Sequence, residues 1–127
     1  MKKLNFLVVD DSPTMRKIIA NSLKRLGHKG VKTAANGAEA IKELDLDKDI
    51  NFIITDWNMP YMDGISLVKQ LKSDNKYNDI KILMITTRGQ KSEIIKAINA
   101  GVDNYIVKPF TQKVLKEKLD IMLNKTD

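Results

Sequence analysis

Short apolar runs alternate from end to end with stretches whose apolar residues recur at helical spacing. Five runs rich in Ile and Val read as strands, over 5–10, 31–35, 51–56, 80–86 and 104–108, each near the usual strand length. Among them the pattern predicts five helices. The first starts behind Ser12-Pro13, a cap residue with proline at the first helical position. It runs to Gly27 with Met15, Ile18, Ile19, Leu23 and Leu26 on one stripe. The others cover about 37–47, 64–73, 91–100 and 111–124. The last has the clearest period: Val114, Leu115, Leu119, Met122 and Leu123 share one face, with Lys113, Lys116, Glu117 and Asp120 elsewhere.

Strict alternation of strand and helix implies right-handed crossovers, hence a doubly wound α/β fold: a parallel sheet with helices on both sides. The strands suit that position. Ile82-Leu83-Met84-Ile85 and Phe52-Ile53-Ile54 are apolar without alternation, as strands covered on both faces are. No linker, low-complexity stretch or repeat interrupts residues 1–127, so one domain is expected, and that length buries about two-thirds of the surface of the unfolded chain.

Composition narrows the chemistry. There is no Cys, which excludes disulfides, thiolate metal sites and thiol nucleophiles. The start Met1-Lys2-Lys3-Leu4 mimics a signal peptide, but the apolar run from Phe6 stops at Asp10 and Asp11, too soon for export. Nothing approaches a membrane span, and a cytoplasmic monomer is expected. The net charge of +6 is uneven: +6 over 1–36, −4 over 37–79 and +4 over 80–127. The Lys and Arg residues are spread over several helices without interleaved aromatics, so solvated faces explain them better than nucleic acid does. The six Met residues fall mostly at core or loop positions, and His28 follows Gly27 in a loop with no second His to complete a pair.

Ligands of such sheets bind beyond the carboxyl ends of the strands, and the polar residues collect there. The first strand runs into Asp10 and Asp11, the third into Asp56, the fourth into Thr86 and the fifth into Lys108. If strands one and three are neighbours, about 5 Å apart, three carboxylates share one small site. Two such charges about 4 Å apart cost around 4 kcal/mol at an effective dielectric near 20, so the cluster either takes up protons or holds a cation. Oxygen donors alone suit Mg²⁺, and the acidic pattern of a calcium loop is missing. Beside a cation Asp56 is a plausible nucleophile toward phosphorus. Thr86 and Lys108 would then neutralise the phosphoryl oxygens, Lys108 reaching across roughly 10 Å, two strand spacings.

The pieces Val8-Val9-Asp10-Asp11-Ser12, Thr55-Asp56-Trp57-Asn58-Met59-Pro60 with Met62-Asp63-Gly64, Thr86, and Tyr105-Ile106-Val107-Lys108-Pro109-Phe110-Thr111 together resemble the receiver domains of two-component response regulators, in particular the single-domain chemotaxis regulators. The resemblance covers essentially the whole chain. It implies a flavodoxin-like fold of five strands in the order 2-1-3-4-5 with five helices. It implies a phospho-accepting switch with only self-phosphorylation and self-dephosphorylation activity, in which Asp56 takes a phosphoryl group from a histidine kinase or from acetyl phosphate. Asp11, Asp56 and the backbone carbonyl of Asn58 match Mg²⁺ ligands, with Asp10 acting through water. Thr86 would move toward the phosphoryl group, Tyr105 would turn inward behind it, Lys108 would pair with a phosphoryl oxygen, and the Lys108-Pro109 bond would be cis.

The resemblance also implies an output partner such as a flagellar motor-switch protein, on a surface to which we assign Lys91, Ile94, Tyr105, Val107 and Lys118, with Lys91, Ile94 and Tyr105 facing outward. Two positions depart from the chemotaxis pattern: Thr87 stands where many relatives carry Ala, and Arg88 where Glu is common. Asn58 and Arg88 flank the path of the hydrolytic water in this family and so tune dephosphorylation, by the domain itself or by a phosphatase. Trp57 reads equally as packing at the site rim or as a partner contact. An aspartate-nucleophile phosphatase would place an Asp-x-Asp pair after the first strand, which Asp10-Asp11 is not. A nucleotide site would need a glycine-rich turn where Asp11-Ser12-Pro13 stands. The remaining alternative is a receiver that controls an attached effector such as a DNA-binding domain; the sequence stops four residues past Leu123, so that reading needs a receiver cut from a longer regulator.

Overall fold

A computed structural model describes residues 3–124; Met1, Lys2 and residues 125–127 lie outside it. The elements alternate throughout: β1 (Asn5–Val9), α1 (Pro13–Arg25), β2 (Gly30–Ala34), α2 (Gly37–Leu46), β3 (Phe52–Thr55), α3 (Gly64–Lys72), β4 (Lys81–Thr86), α4 (Lys91–Ala100), β5 (Asn104–Val107) and α5 (Gln112–Asn124). The strands make one parallel sheet in the order β2-β1-β3-β4-β5. This is the doubly wound order expected from the resemblance. No helix among the described residues is long and apolar enough to cross a membrane.

The two faces of the sheet bury separate cores, as period-two side chains require. One face sends Leu7, Val9, Ile53, Ile82, Met84 and Tyr105 toward α2, α3 and α4. The other sends Phe6, Val8, Phe52, Ile54, Leu83, Ile85 and Ile106 toward α1 and α5. The central strands are buried at every position of β3 and all but the first of β1 and β4, which explains their unbroken apolar runs. The α5 stripe is as expected, with Leu115, Leu119 and Met122 buried. In α1, however, Ile18 does not join the stripe and stays 45% exposed.

Caps fix where the helices begin, and therefore how the loops cross the site. Ser12 accepts from the Met15 amide, Asn36 from Glu39 and Asp63 from Ser66. In α4 Gln90 and Glu93 form a reciprocal capping box. Gly64 opens α3 against the loop after β3, and a Cβ there would stand 2.0 Å from the Asp56 carbonyl oxygen. Only glycine lets α3 start that close.

Candidate functional site

Asp10, Asp56 and Lys108 each lie one residue past a strand, yet each backbone keeps one more ladder bond. The amide of Asp10 donates to Ala34 O at 3.1 Å, that of Asp56 to Val9 O at 2.9 Å and that of Lys108 to Thr86 O at 2.8 Å. The side chains are therefore launched from fixed points at the carboxyl edge of the sheet. Carboxylate oxygens of Asp10, Asp11 and Asp56 all fall within 4.8 Å of one another. Asp10 is buried, Asp56 half-buried and Asp11 exposed, so the cluster opens to solvent on the Asp11 side.

The crowding is relieved by one cation. Lys108 Nζ donates to Asp56 Oδ2 at 2.9 Å and to Asp10 Oδ2 at 3.0 Å. Burial alone would lower the Lys108 pKa, but the hydrogen bonds and charges of Asp56 and Asp10 outweigh it and hold the ammonium above its ordinary range. The other oxygen of each of these two carboxylates is bonded locally. Asp10 Oδ1 accepts from the Ser12 amide at 2.9 Å, and Asp56 Oδ1 accepts from the Trp57 amide at 2.5 Å. Among the described residues no buried side-chain polar atom lacks a partner. The Lys108-Pro109 bond is cis.

Thr86 is fully buried at the end of β4, and its Oγ1 accepts from the Arg88 amide at 3.4 Å. Next to it lies an arrangement that sequence reading did not reach. The Arg88 guanidinium donates from Nε at 3.1 Å and from Nη2 at 2.7 Å to Asn58 Oδ1, and from Nη1 at 2.9 Å to Glu93 Oε2. It also lies 4.7 Å from the centre of the Trp57 ring, a cation–π distance. Trp57 is 5% exposed and belongs to the core beneath α4, so it packs and offers almost no surface to a partner. A second missed residue is Arg16, whose Nη1 reaches the Asp10 carbonyl at 2.6 Å. Its signal is electrostatic: no acidic residue occupies the first turn of α1, and a cation near a helix N-terminus opposes the dipole unless something else holds it.

Two expectations about the outward surface need correction. Tyr105 does not face outward: it is 7% exposed, and its hydroxyl donates to the Arg88 carbonyl at 2.6 Å. Burial, then the charge of Glu93, raises that phenol to about 12. Ile94 also turns inward, packing against the core, and α4 instead shows solvent Ile95 and Ile98. The phase of a ten-residue helix without a long stripe is easily misplaced by one position. Lys91 and Val107 are exposed and Lys118 is half-buried, all outside the carboxylate cluster.

Comparison with known proteins agrees with this geometry. Residues 6–120 match the response regulator receiver domain. Chemotaxis protein CheY1 of Helicobacter pylori is 55% identical over 124 residues, spanning 98% of this chain and 100% of that protein. The CheY homologue of Campylobacter jejuni is 55% identical over 120 residues, spanning 94% and 92%. Among solved structures, Vibrio cholerae CheY4 superposes with a TM-score of 0.84 at 32% identity, covering 92% of this chain and 96% of that one. The CheX–CheY complex of Borrelia burgdorferi with beryllofluoride and magnesium gives 0.85 at 27% identity, covering 94% and 89%. The carboxylate edge, the sheet order and these likenesses converge: the chain belongs to the response regulator receiver domain family and is closely related to the CheY chemotaxis regulators.

Proposed function

We propose that this chain acts as a single receiver domain over 1–127 in a cytoplasmic two-component phosphorelay. It accepts a phosphoryl group on Asp56 from a histidine kinase and changes its affinity for an output protein, in chemotaxis a flagellar motor-switch protein. The observation that carries this reading is the set of three carboxylates within 4.8 Å, with the Lys108 ammonium across two of them. The likeness to CheY proteins supports it.

In the transfer an Asp56 oxygen attacks phosphorus, and the O–P bond forms as the N–P bond to the kinase histidine breaks. The electron pair leaves on the imidazole nitrogen. Lys108, already in contact with Asp56, shifts its charge to a phosphoryl oxygen, and the Thr86 hydroxyl donates to another. Asp11, Asp56 and the backbone carbonyl of Asn58 would hold Mg²⁺, with Asp10 behind a water; an all-oxygen donor set open to solvent fits that ion. When bound, the cation offsets the charge of the carboxylates and of the incoming phosphoryl group. Arg88, bonded to Asn58, lies beside the path of the hydrolytic water, and a phosphatase acting on Asp56 would have to displace it.

Ile95 lines a groove with Lys69 of α3, whereas the output surface would use exposed Lys91 and Ile98 of α4 and Val107 of β5, with half-buried Lys118 of α5. Its basic and apolar character suits an acidic, partly apolar peptide. The deciding experiment is intact-mass measurement after incubation with acetyl phosphate and Mg²⁺. One phosphoryl group is expected on the wild type and none on Asp56→Asn; equal labelling of the two would overturn the assignment.

A further inference from the structure

The loop between Thr86 and α4 is joined to the loop after β3 by one side chain, and that side chain is unlike its surroundings in using every face it has. Two nitrogens of Arg88 meet Asn58, a third meets Glu93, and the plane lies over Trp57. Its backbone carbonyl takes the Tyr105 hydroxyl. Trp57 and Asn58 are the two residues that follow Asp56, while Glu93 is in the first turn of α4. We propose that Arg88 is a positioning residue that ties the acceptor loop to the start of α4, so that occupancy of Asp56 is felt at α4 through Asn58, Arg88 and Glu93. This rests on the receiver reading above and adds to it a route of regulation.

The chemistry of each link supports the tether. A planar guanidinium offers donors in a fixed fork that meets acceptors from two elements while its face stacks on an indole; an ammonium has neither the plane nor the fork. At the far end, the Glu93 carboxylate is divided. Oε2 accepts from Arg88 at 2.9 Å, and Oε1 accepts from the Gln90 amide at 3.2 Å, closing the capping box of α4. Any movement of Arg88 therefore changes how well the first turn of α4 is capped. At the near end, the Asn58 backbone is a proposed cation ligand, and its side chain is held by Arg88 through two bonds. Anything that shifts the Asn58 backbone toward a ligand pulls on both. The pair is only partly exposed, 39% for the Arg88 side chain and 22% for Glu93, so solvent screens it less than a surface ion pair. Because coupling between sites is reciprocal, a partner that fixes the start of α4 would act back on Asn58.

The test is amide NMR of the full chain before and after adding Mg²⁺ and beryllofluoride. In the wild type, shift changes are expected at Asp11, Asn58 and residues 91–95. In Arg88→Ala the changes at Asp11 remain, while those over 91–95 shrink about twofold or more. Arg88→Lys falls between the two, because it keeps the charge but loses the planar fork and the stack on Trp57. Glu93→Gln, which leaves Arg88 on Asn58 but removes the ion pair and its charged acceptor, keeps the Asn58 response and weakens that of α4. Full α4 responses in Arg88→Ala or in Glu93→Gln overturn the tether alone. Silence at Asp11 in the wild type overturns the receiver reading, and the tether with it. Should Arg88→Ala fold poorly, Arg88→Lys and Glu93→Gln decide the matter by the same comparison.

Discussion

The hydroxyl of Tyr105 donates to the backbone carbonyl of Arg88 at 2.6 Å, so the aromatic ring of the last strand is held under the loop that follows Thr86. The ring is inward in this structure, 7% exposed.

That bond has a pH signature. The unfolded phenol ionises near ~10, whereas burial and the charge of Glu93 raise Tyr105 in the folded chain to about 12. Between those values the native state keeps a proton that the unfolded state has lost, so stability falls as pH rises. The contribution is whole below about pH 10 and gone above the folded value. Tyr105→Phe should cost about 1 kcal/mol at neutral pH through the lost hydrogen bond, and the wild type's advantage should shrink as pH climbs through this window. Urea unfolding of both proteins at about pH 8 and about pH 11 checks it; a constant difference would show that the phenol is not held this way.

Among the described residues, Lys108 is the one cation ion-paired with Asp10 and Asp56. Its replacement in Lys108→Met leaves two buried or half-buried carboxylates facing each other, at a cost of about 3 kcal/mol. Mg²⁺ should return more stability to this variant than it adds to the wild type, because it supplies the missing positive charge. Thermal unfolding with and without Mg²⁺ measures both effects, and equal Mg²⁺ stabilisation of the two proteins would count against the cation site.

The indole of Trp57 reports on the same site, since its amide is bonded to Asp56 Oδ1 and its ring lies under Arg88. Titration with Mg²⁺ should change its fluorescence over roughly the millimolar range, as expected for a site that leaves most of the ion's shell to water. Asp11→Asn should shift the midpoint upward about tenfold, or about 1.4 kcal/mol. A flat titration of the wild type would contradict the donor set.

Gly64→Ala should destabilise the fold by about 1 to 3 kcal/mol, because the new Cβ would meet the Asp56 carbonyl oxygen at 2.0 Å and one of the two must give way. The same displacement moves the acceptor, so acetyl phosphate labelling should slow as stability falls. Normal labelling by a destabilised Gly64→Ala would mean that α3 yields and the acceptor loop does not.

Much of this site is legible from sequence because it is carried by position along strands. Asp10, Asp56, Thr86 and Lys108 each end an apolar run, and parallel strands bring such ends to one edge whatever the loops do. Their order across the sheet came from the motifs' resemblance to a known family, since alternation alone leaves several orders open. The side chains read less well are those whose surroundings are set by helix phase or loop geometry. Ile18 is more exposed, and Ile94 more buried, than the apolar pattern suggests, which small rotations of their helices account for. Tyr105 sits on an edge strand, where a half-exposed reading is natural until α4 is seen to cover it. Arg88 finds Asn58 thirty residues away through a loop, and no periodicity carries that information.

The bonds of Lys108 reach partners 98 and 52 residues earlier in the chain. Such long closures are among the last contacts a chain can make. Asp10 and Asp56 therefore lack this ammonium until β5 has been added to the sheet. On the proposed function, a chain whose β5 is not in the sheet would lack one of the two groups that neutralise the phosphoryl oxygens.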